Sequence, residues 1–311
     1  MNEAGSSPAI HAQDLAKSYG DVVALAGLTM TVDRGEVFGF LGPNGAGKTT
    51  AVKLLLGLTR PTGGQAWVLG APVGDLAARR QIGYLPELFR YQSFLSAREV
   101  LDFHSELAGI ERSRRPTAIR EVLDTVGLAE RADDRVGKFS KGMQQRIGLA
   151  VALLGDPTLV FLDEPTSALD PVGRHDVREI IRRLRERGTT VFLNSHLLSE
   201  VELVCDRVAV VDRGRVIAVG GIDEVTAGAD VVRIKLAGLD GRVGGTLQRF
   251  GQPNENGAGW WTVHGLSEAQ VPELIAEVVR AGGLVYAVEP GRRTLEDRFL
   301  ELLRDDEPEA G

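Results

Sequence analysis

A glycine-rich stretch directly after an apolar run constrains this chain more than any other feature of its sequence. The apolar run occupies 37–41, and the stretch that follows reads Gly42-Pro43-Asn44-Gly45-Ala46-Gly47-Lys48-Thr49-Thr50. Beyond it, Val52, Leu55 and Leu56 have the i, i+3, i+4 spacing of one helix face. A strand, a glycine loop and a helix in this order form the context of a phosphate-binding loop.

The residue types in this loop suit a polyphosphate. Glycines let successive N–H groups point inward, and the helix N-terminus adds a partial positive charge. In such a loop Lys48 reaches the β- and γ-phosphates, and the Thr49 hydroxyl is placed to bind Mg²⁺. Tyr19, at the end of an earlier strand, is a candidate to stack on a purine base, although a strand-end tyrosine is more often a packing residue. We therefore predict nucleotide binding by 42–50, with a chance glycine-rich turn as the alternative.

The composition is that of an ordinary globular protein. Lys and Arg number 36 against 43 Asp and Glu, a formal net charge of -7, so we expect no nucleic-acid partner. The single cysteine, Cys205, excludes a disulfide within the chain and favours a reducing compartment. Residues 1–8 lack the apolar core of a signal peptide, and no run approaches the roughly 18 apolar residues of a membrane span. We expect a soluble chain.

Strand and helix patterns alternate through the first two thirds of the sequence. The apolar runs 159–162 and 191–193 are typical of strands covered on both faces, which predicts a parallel α/β sheet with its chemistry at the strands' carboxyl ends. We also predict short strands over 10–32 and a closing hairpin over 208–219. A helical insert is predicted at about 90–156. Its first helix should start with a capping box from Ser96 to Glu99, and Val100, Phe103 and Leu107 should lie on one of its faces.

The pattern changes after residue 222. A linker is predicted over 223–230, a small α+β domain over 231–304 and a disordered acidic tail over 305–311. In the small domain we predict strands near 231–236, 260–263 and 284–288, a helix from Val271 to Val278, and a final helix capped by Thr294. Trp260 and Trp261 are adjacent in a strand, so we expect one to be buried and the other half-exposed.

Acidic residues follow the first buried strand. Asp163 can hold Mg²⁺, and Glu164 can polarise the water that attacks the γ-phosphate. A helix N-cap is the alternative explanation of this pair. His196 follows the second buried strand, where it can orient the same water, although a lone histidine is more often structural.

Together these motifs resemble the ATP-binding cassette (ABC) transporter ATPase subunits over about residues 8–220. Residues 42–49 match the family's Walker A motif, 159–164 its Walker B with the catalytic glutamate, and 167–170 its D-loop. His196 matches its switch histidine. The segment 139–143, Phe-Ser-Lys-Gly-Met, occupies the place of the LSGGQ signature. The resemblance implies a P-loop NTPase fold: a parallel-sheet core with an antiparallel β subdomain and a helical insert.

In this family the signature closes over ATP bound to the opposite subunit. The resemblance thus implies a head-to-tail homodimer or heterodimer. It assigns catalysis to Lys48, Glu164 and His196. It assigns the contacts with ATP in trans to five residues: Ser140, Lys141, Gly142, Met143 and Asp170. Magnesium would be held by three: Thr49, Asp163 and Glu87.

Two positions depart from the family pattern. Lys141 and Met143 replace a glycine and a glutamine of the signature, while Ser140 and Gly142 are kept. Glu87 stands where the Q-loop glutamine normally contacts Mg²⁺ and the water. A carboxylate there is a good Mg²⁺ ligand, but it adds negative charge close to the γ-phosphate and Glu164.

Several features together resemble the type 2 exporter ATPases: Glu87, the signature, the single cassette and the small C-terminal domain. The resemblance implies a separate membrane permease contacted by residues 92–109 and a place on the cytoplasmic face of the membrane. Drug or antibiotic efflux is the first choice of cargo; lipid or polysaccharide export and copper-site maturation are alternatives. An import ATPase, or a soluble ABC protein that acts on ribosomes or DNA, would share the catalytic residues.

Overall fold

The computed structural model describes residues 7–167, 169–226, 231–237, 241–266, 268–291 and 294–305. Within these residues the chain forms two compact units. The first contains the described residues up to Ile222 and from Leu302, and the second contains those from Asp223 to Glu301. All of the predicted nucleotide-site residues belong to the first unit.

The strands of the first unit are β1 (Ile10–Tyr19), β2 (Val22–Val32), β3 (Val37–Leu41), β4 (Gly63–Val68), β5 (Ala71–Pro72), β6 (Ile82–Leu85), β7 (Leu159–Asp163), β8 (Thr190–Asn194), β9 (Arg207–Asp212) and β10 (Arg215–Gly221). Its helices are α1 (Lys48–Leu55), α2 (Leu76–Arg79), α3 (Ala97–Leu107), α4 (Arg115–Thr125), α5 (Lys141–Leu153), α6 (Pro171–Glu186) and α7 (Leu198–Val204). The next helix, α8 (Ile222–Thr226), belongs to the second unit except for its first residue. Single 3₁₀ turns lie at Ala129–Arg131 and Val136–Lys138.

The central sheet has six strands in the order β10-β9-β3-β8-β7-β6. All neighbours are parallel except β10, which pairs antiparallel with β9 at one edge. This arrangement confirms the predicted parallel sheet and its closing hairpin. The strands β3, β7 and β8 are buried along their whole length, as expected for strands covered on both faces.

A second, antiparallel sheet has the order β2-β1-β4-β5, and its strands β1 and β2 are longer than the short strands predicted over 10–32. Its apolar side, helix α1 and one face of the central sheet share a single core. Four phenylalanines fill the central-sheet side of that core. The ring centroid of Phe192 lies 5.0–5.9 Å from those of the other three: Phe38, Phe40 and Phe161. This core fixes the strand ends that carry the site.

Helix α3 starts with the predicted capping box, in which Ser96 and Glu99 satisfy each other's backbone N–H groups. The apolar residues that share the predicted face of this helix differ in their burial. Val100 is buried, but Phe103 and Leu107 are 55% and 68% exposed, and the helix turns Leu101 and Ser105 inward instead. Apolar spacing selects one face of a helix but does not show whether that face meets the core or a partner.

The second unit is built from β11 (Val231–Ala237), α9 (Gly241–Phe250), β12 (Gln252–Glu255), β13 (Trp260–His264), α10 (Val271–Arg280) and β14 (Leu284–Gly291). The helix α11 (Leu295–Asp305) follows, with Thr294 and Asp297 bonded at its start. The sheet has the order β12-β13-β11-β14, and every pair is antiparallel. This is the split βαβ arrangement βαββαβ, an α+β fold.

Three details of this part of the chain differ from the sequence prediction. Helix α9 was not predicted, because Gly244 and Gly245 in its middle disfavour helix. Helix α8 occupies residues predicted as linker, and 227–230 lie outside the described residues. Trp260 and Trp261 are both partly buried, so neither is fully enclosed. The predicted disordered tail also lies outside the described residues after Asp305.

Candidate active site

The phosphate loop runs from the end of β3 to the start of α1, and two of its glycines admit no side chain. A Cβ on Gly42 would lie 2.3 Å from the carbonyl oxygen of Val211. Gly47 has a φ of 98°, and a Cβ there would lie 2.3 Å from the carbonyl oxygen of Ala24. Only glycine fits these two positions, so the loop closes tightly on its surroundings.

The turn between β9 and β10 holds the loop from one side. The N–H of Gly214 donates to the carbonyl of Ala46 at 3.0 Å, and the N–H of Ala26 donates to the carbonyl of Gly214 at 2.8 Å. Gly214 has a φ of 78°, and a Cβ on it would lie 2.8 Å from the nitrogen of Ala26. Gly214 therefore links the phosphate loop to strand β2 through these two hydrogen bonds.

Lys48, the first residue of α1, lies along the loop. Its ammonium donates to the carbonyl oxygens of Gly42 at 2.6 Å and Pro43 at 3.1 Å, and the residue is buried. Burial lowers the pKa of Lys48, and the nearby negative charges of Glu164, Asp163 and Glu87 act in the opposite direction. The predicted lysine and the predicted carboxylates therefore share one site.

Strand order brings the carboxylates to this loop. Strand β8 lies between β3 and β7, and Asn194 on β8 is in register with both Phe40 and Asp163. Asp163 is buried and accepts a hydrogen bond from Nδ2 of Asn194 at 2.5 Å. Burial raises the pKa of the Asp163 carboxyl, an effect that this hydrogen bond opposes and that the charges of Glu87 and Glu164 reinforce.

Glu164 has an unusual backbone for its residue type. Its φ is 51°, in the left-handed region, and its N–H donates to the carbonyl of Asn194 at 2.8 Å. Non-glycine residues seldom adopt this conformation, and they cluster at functional sites when they do. The side chain is buried, which holds the carboxylate at the edge of the sheet. An N-cap role for the acidic pair is not what the structure shows, since Asp170 caps the next helix.

His196 reaches Glu164 across the ends of the neighbouring strands β7 and β8. Its Nδ1 lies 2.7 Å from Oε2 of Glu164, within ion-pair distance, although the two groups are not aligned as a hydrogen bond. The imidazole is half-exposed. It therefore bridges the buried carboxylate and the solvent-facing side of the site.

Glu87 follows β6 and is exposed. Burial raises the pKa of Tyr84 to about 12, and the negative charges of Asp163 and then Glu87 raise it further. The charge of Glu87 therefore acts on its neighbours in the site. Thr49 is exposed at the start of α1. A hydroxyl and two carboxylates are oxygen ligands of the kind that Mg²⁺ prefers. Among the described residues, no three His, Cys, Asp or Glu side chains form a group that could hold a metal ion by themselves.

Other predicted ATP contacts lie on the surface. Tyr19 is 49% exposed with the Lys17 ammonium 4.9 Å from its ring centroid, so packing in a core does not account for it. Ala46 is the exception, because it is buried and belongs to the hydrophobic core of the first unit. Asn44, Gly45 and Thr50 complete the exposed or half-exposed rim of the loop.

The signature segment begins helix α5. Ser140 is its N-cap, and the Ser140 hydroxyl accepts from the N–H of Met143 at 3.3 Å. Lys141 and Gly142 form the first turn, and Ser140 is exposed. Among the hydrogen bonds and ion pairs of the described part of the chain, none joins 140–143 to 42–50. The helix N-terminus with its small hydroxyl is a second anion-binding feature.

Asp170 caps α6, accepting from the N–H of Gly173 at 2.8 Å. Of the predicted D-loop, Ala168 lies outside the described residues. One residue that sequence analysis missed is Asn194, which contacts both acidic groups of the site. Its signal was a polar residue at the end of an otherwise apolar strand, two positions before His196.

Comparison with known proteins decides the family. The chain is 40% identical over 287 residues to an uncharacterized ABC transporter ATP-binding protein of Synechocystis sp., covering 91% of this chain and 79% of that protein. The family described as ABC transporter matches residues 25–167. The chain belongs to the ABC transporter ATP-binding proteins. It is an ATP-binding subunit of this family and an ATPase.

Two further relatives have named roles. The linearmycin resistance ATP-binding protein of Bacillus subtilis is 32% identical, over 94% of this chain and 97% of that protein. A Nod factor export ATP-binding protein I of Rhizobium sp. is 41% identical, over 74% and 77%. Among solved structures, the ATP-binding subunit of an ABC transporter superposes with a TM-score of 0.63 at 31% identity, over 70% of this chain and 91% of that one. The P-loop NTPase α/β fold is thereby confirmed.

Proposed function

We propose that this ABC ATPase hydrolyses ATP with Glu164 as the base that takes a proton from the attacking water. The observation that carries this assignment is the placement of a buried carboxylate, fixed by its backbone, beside Lys48 and Asp163. A buried and oriented carboxylate can act as a general base. The imidazole of His196, 2.7 Å from Glu164, contacts the γ-phosphate and orients the same water.

The remaining groups bind the nucleotide. The loop 42–50 and the ammonium of Lys48 hold the phosphates, and Tyr19 offers its exposed ring to the purine. The oxygen ligands Thr49, Asp163 and Glu87 would hold Mg²⁺, which supplies charge neutralisation of the phosphates when it is bound. Glu87 adds a negative charge that a glutamine would not carry, and it lies close enough to act on Asp163.

We further propose that each site is completed in trans by Ser140, Lys141, Gly142, Met143 and Asp170 of a second ATPase subunit. The support is that the signature helix presents an exposed anion-binding N-terminus, while the same chain has only one phosphate loop to offer it. A head-to-tail pair of subunits satisfies both surfaces at once. Such a pair can be a homodimer or a heterodimer.

Mixing two inactive variants tests the composite site. Lys48→Ala removes the ammonium group of the phosphate loop, and Ser140→Arg blocks the signature segment. Each homodimer should therefore be inactive. In the mixture, a mixed dimer keeps one intact site, and we expect activity to return to roughly a quarter of the wild-type rate if pairing is random. ATPase assays on the separate and combined proteins measure this. No recovery on mixing, with both variants folded and dimeric, would contradict a site shared between subunits.

A membrane permease in a separate chain is the proposed partner. Between β6 and α4, four large apolar side chains are exposed by 55–87%: Leu88, Phe94, Phe103 and Leu107. Ring contacts at 5.4–5.5 Å connect Phe89, Tyr91, His104 and Phe103 into one aromatic row in the same segment. Exposed apolar surface of this extent marks a protein interaction site. It falls within and beside residues 92–109, where the permease contact is predicted.

No helix among the described residues has the length and apolar character to cross a membrane. Attachment to the cytoplasmic face through a permease is accordingly part of this proposal. For cargo, drug or antibiotic efflux is favoured by the linearmycin resistance relative, which aligns over nearly its whole length. Export of a lipid or polysaccharide is the second candidate, and the Nod factor export relative supports export in general.

Copurification tests the permease. A tagged chain is isolated from solubilised membranes, and its partners are identified by mass spectrometry. We expect a polytopic membrane protein in stoichiometric amount, and we expect the double variant Phe94→Asp with Phe103→Asp to lose it while still binding ATP. The control Leu76→Asp changes an equally exposed apolar residue on α2 and should keep the partner. Recovery only with ribosomes or in the cytosol would overturn the transporter role.

A further inference from the structure

Asn194 occupies the central position of the active-site edge. It is the last residue of β8, and it is in register with Phe40 of the phosphate-loop strand and with Asp163 of the acidic strand. The residue is only 3% exposed. A polar side chain this deeply buried is retained when its hydrogen bonds are used.

The side-chain amide of Asn194 contacts Asp163 through its NH₂ group. Nδ2 donates to Oδ1 of Asp163 at 2.5 Å. An ionised carboxylate offers only acceptors, so the NH₂ end must face it and the carbonyl end must face away. That carbonyl oxygen, Oδ1 of Asn194, is buried and has no hydrogen-bond partner within the described ranges. A buried acceptor without a partner lowers stability unless a ligand or a water supplies the donor.

The main chain of Asn194 supports the other acidic residue. Its carbonyl oxygen accepts a hydrogen bond from the N–H of Glu164 at 2.8 Å, and Glu164 is the residue with a φ of 51°. One residue therefore contacts the carboxylate assigned to Mg²⁺ through its side chain and the base assigned to the water through its backbone. His196, two residues later, lies against that same base.

We propose that Asn194 is the positioning residue of the magnesium site. Its amide NH₂ group holds one oxygen of Asp163 and leaves the other for the cation. Its buried Oδ1 accepts a hydrogen bond from a water bound to the cation, because Mg²⁺ keeps several of its waters in proteins. This role rests on the proposed ATPase site. It adds a residue that neither the sequence motifs nor the assigned ligands include.

The test measures metal affinity separately from turnover. Mn²⁺ replaces Mg²⁺, and its binding to the full chain with a non-hydrolysable ATP analogue is followed by electron paramagnetic resonance. Groups that orient metal ligands change affinity by about 10- to 100-fold, so we expect Asn194→Ala to weaken Mn²⁺ binding at least tenfold. Affinity for the nucleotide measured in EDTA should stay within about twofold, since Lys48 and the loop are untouched. Asn194→Leu, which is closer in size, provides a second variant if the alanine chain does not fold.

Thr190→Val is the matched control. Thr190 lies at the other end of β8, is equally buried, and its hydroxyl accepts the N–H of Gly35 at 2.9 Å. Its loss perturbs the same strand without touching Asp163, so Mn²⁺ affinity should not change. Wild-type Mn²⁺ affinity in a folded Asn194 variant would overturn the positioning role alone. A wild-type chain whose nucleotide affinity gains nothing from Mn²⁺ would overturn the proposed site itself, and this role with it.

Discussion

Replacing Glu164 by glutamine should leave a subunit that binds ATP and dimerises but hardly turns over. The amide keeps the size and position of the side chain, yet it cannot accept the proton of the attacking water. General bases contribute about 10²- to 10⁴-fold to rate, so we expect hydrolysis to fall by at least about a hundredfold. Phosphate release measures turnover, and size-exclusion chromatography with ATP measures the trapped dimer.

The control for this change is Glu130→Gln, which removes the same charge from an exposed glutamate in the 3₁₀ turn 129–131. Its turnover should equal that of the unmodified chain. If Glu164→Gln kept more than about a tenth of the activity while its folding was intact, Glu164 would not be the base. The proton would then have to pass to another group, of which His196 is the nearest described candidate.

Replacing Lys48 by alanine should weaken the binding of ATP in addition to stopping turnover. The ammonium is the cation of the loop, and hydrogen bonds to charged groups contribute about 1.5–3 kcal/mol each. We therefore expect the Kd for ATP to rise roughly 10- to 150-fold. Titration with a fluorescent ATP analogue gives the Kd, and thermal unfolding shows that the fold survives.

Lys53→Ala offers a closely matched comparison. Lys53 lies in the same helix α1 but is exposed on its outer side, so its loss removes an equal charge and no phosphate contact. The Kd should change by less than about threefold, the range of a screened surface charge. Equal effects of the two substitutions would mean that general charge attraction, and not the loop, determines nucleotide binding.

The sequence was sufficient for those parts of the site that lie along one segment. The order of strand, glycine loop and helix predicts 42–50, and the buried runs predict the strand ends at Asp163 and His196. The sequence could not provide the order of the strands within the sheet. Only the order β3-β8-β7 shows that Asn194 lies between the loop strand and Asp163. No spacing along the chain encodes which strands are neighbours.

The local sequence pattern and the structure differ in two helices, and the physical cause is of the same kind in both. Phe103 and Leu107 continue an apolar helical face, but α3 meets its neighbours through Leu101 and Ser105 instead, so the apolar face remains available to a partner. Helix α9 contains two glycines that lower its intrinsic propensity, yet Val243 and Leu247 bury fully in the second core. In both cases packing between distant segments overrides the local pattern.

The bond between Gly214 and Ala46 has a consequence for how the subunit is made. The loop that grips phosphate early in the chain is completed by a turn that is synthesised much later, after β9. Contacts between residues far apart in sequence form late, because the intervening chain must be closed first. A nascent chain that ends before Gly214 would hold every residue of the loop but not the hydrogen bond that reaches Ala46 from this turn. That support of the phosphate loop becomes available only after synthesis has passed β9.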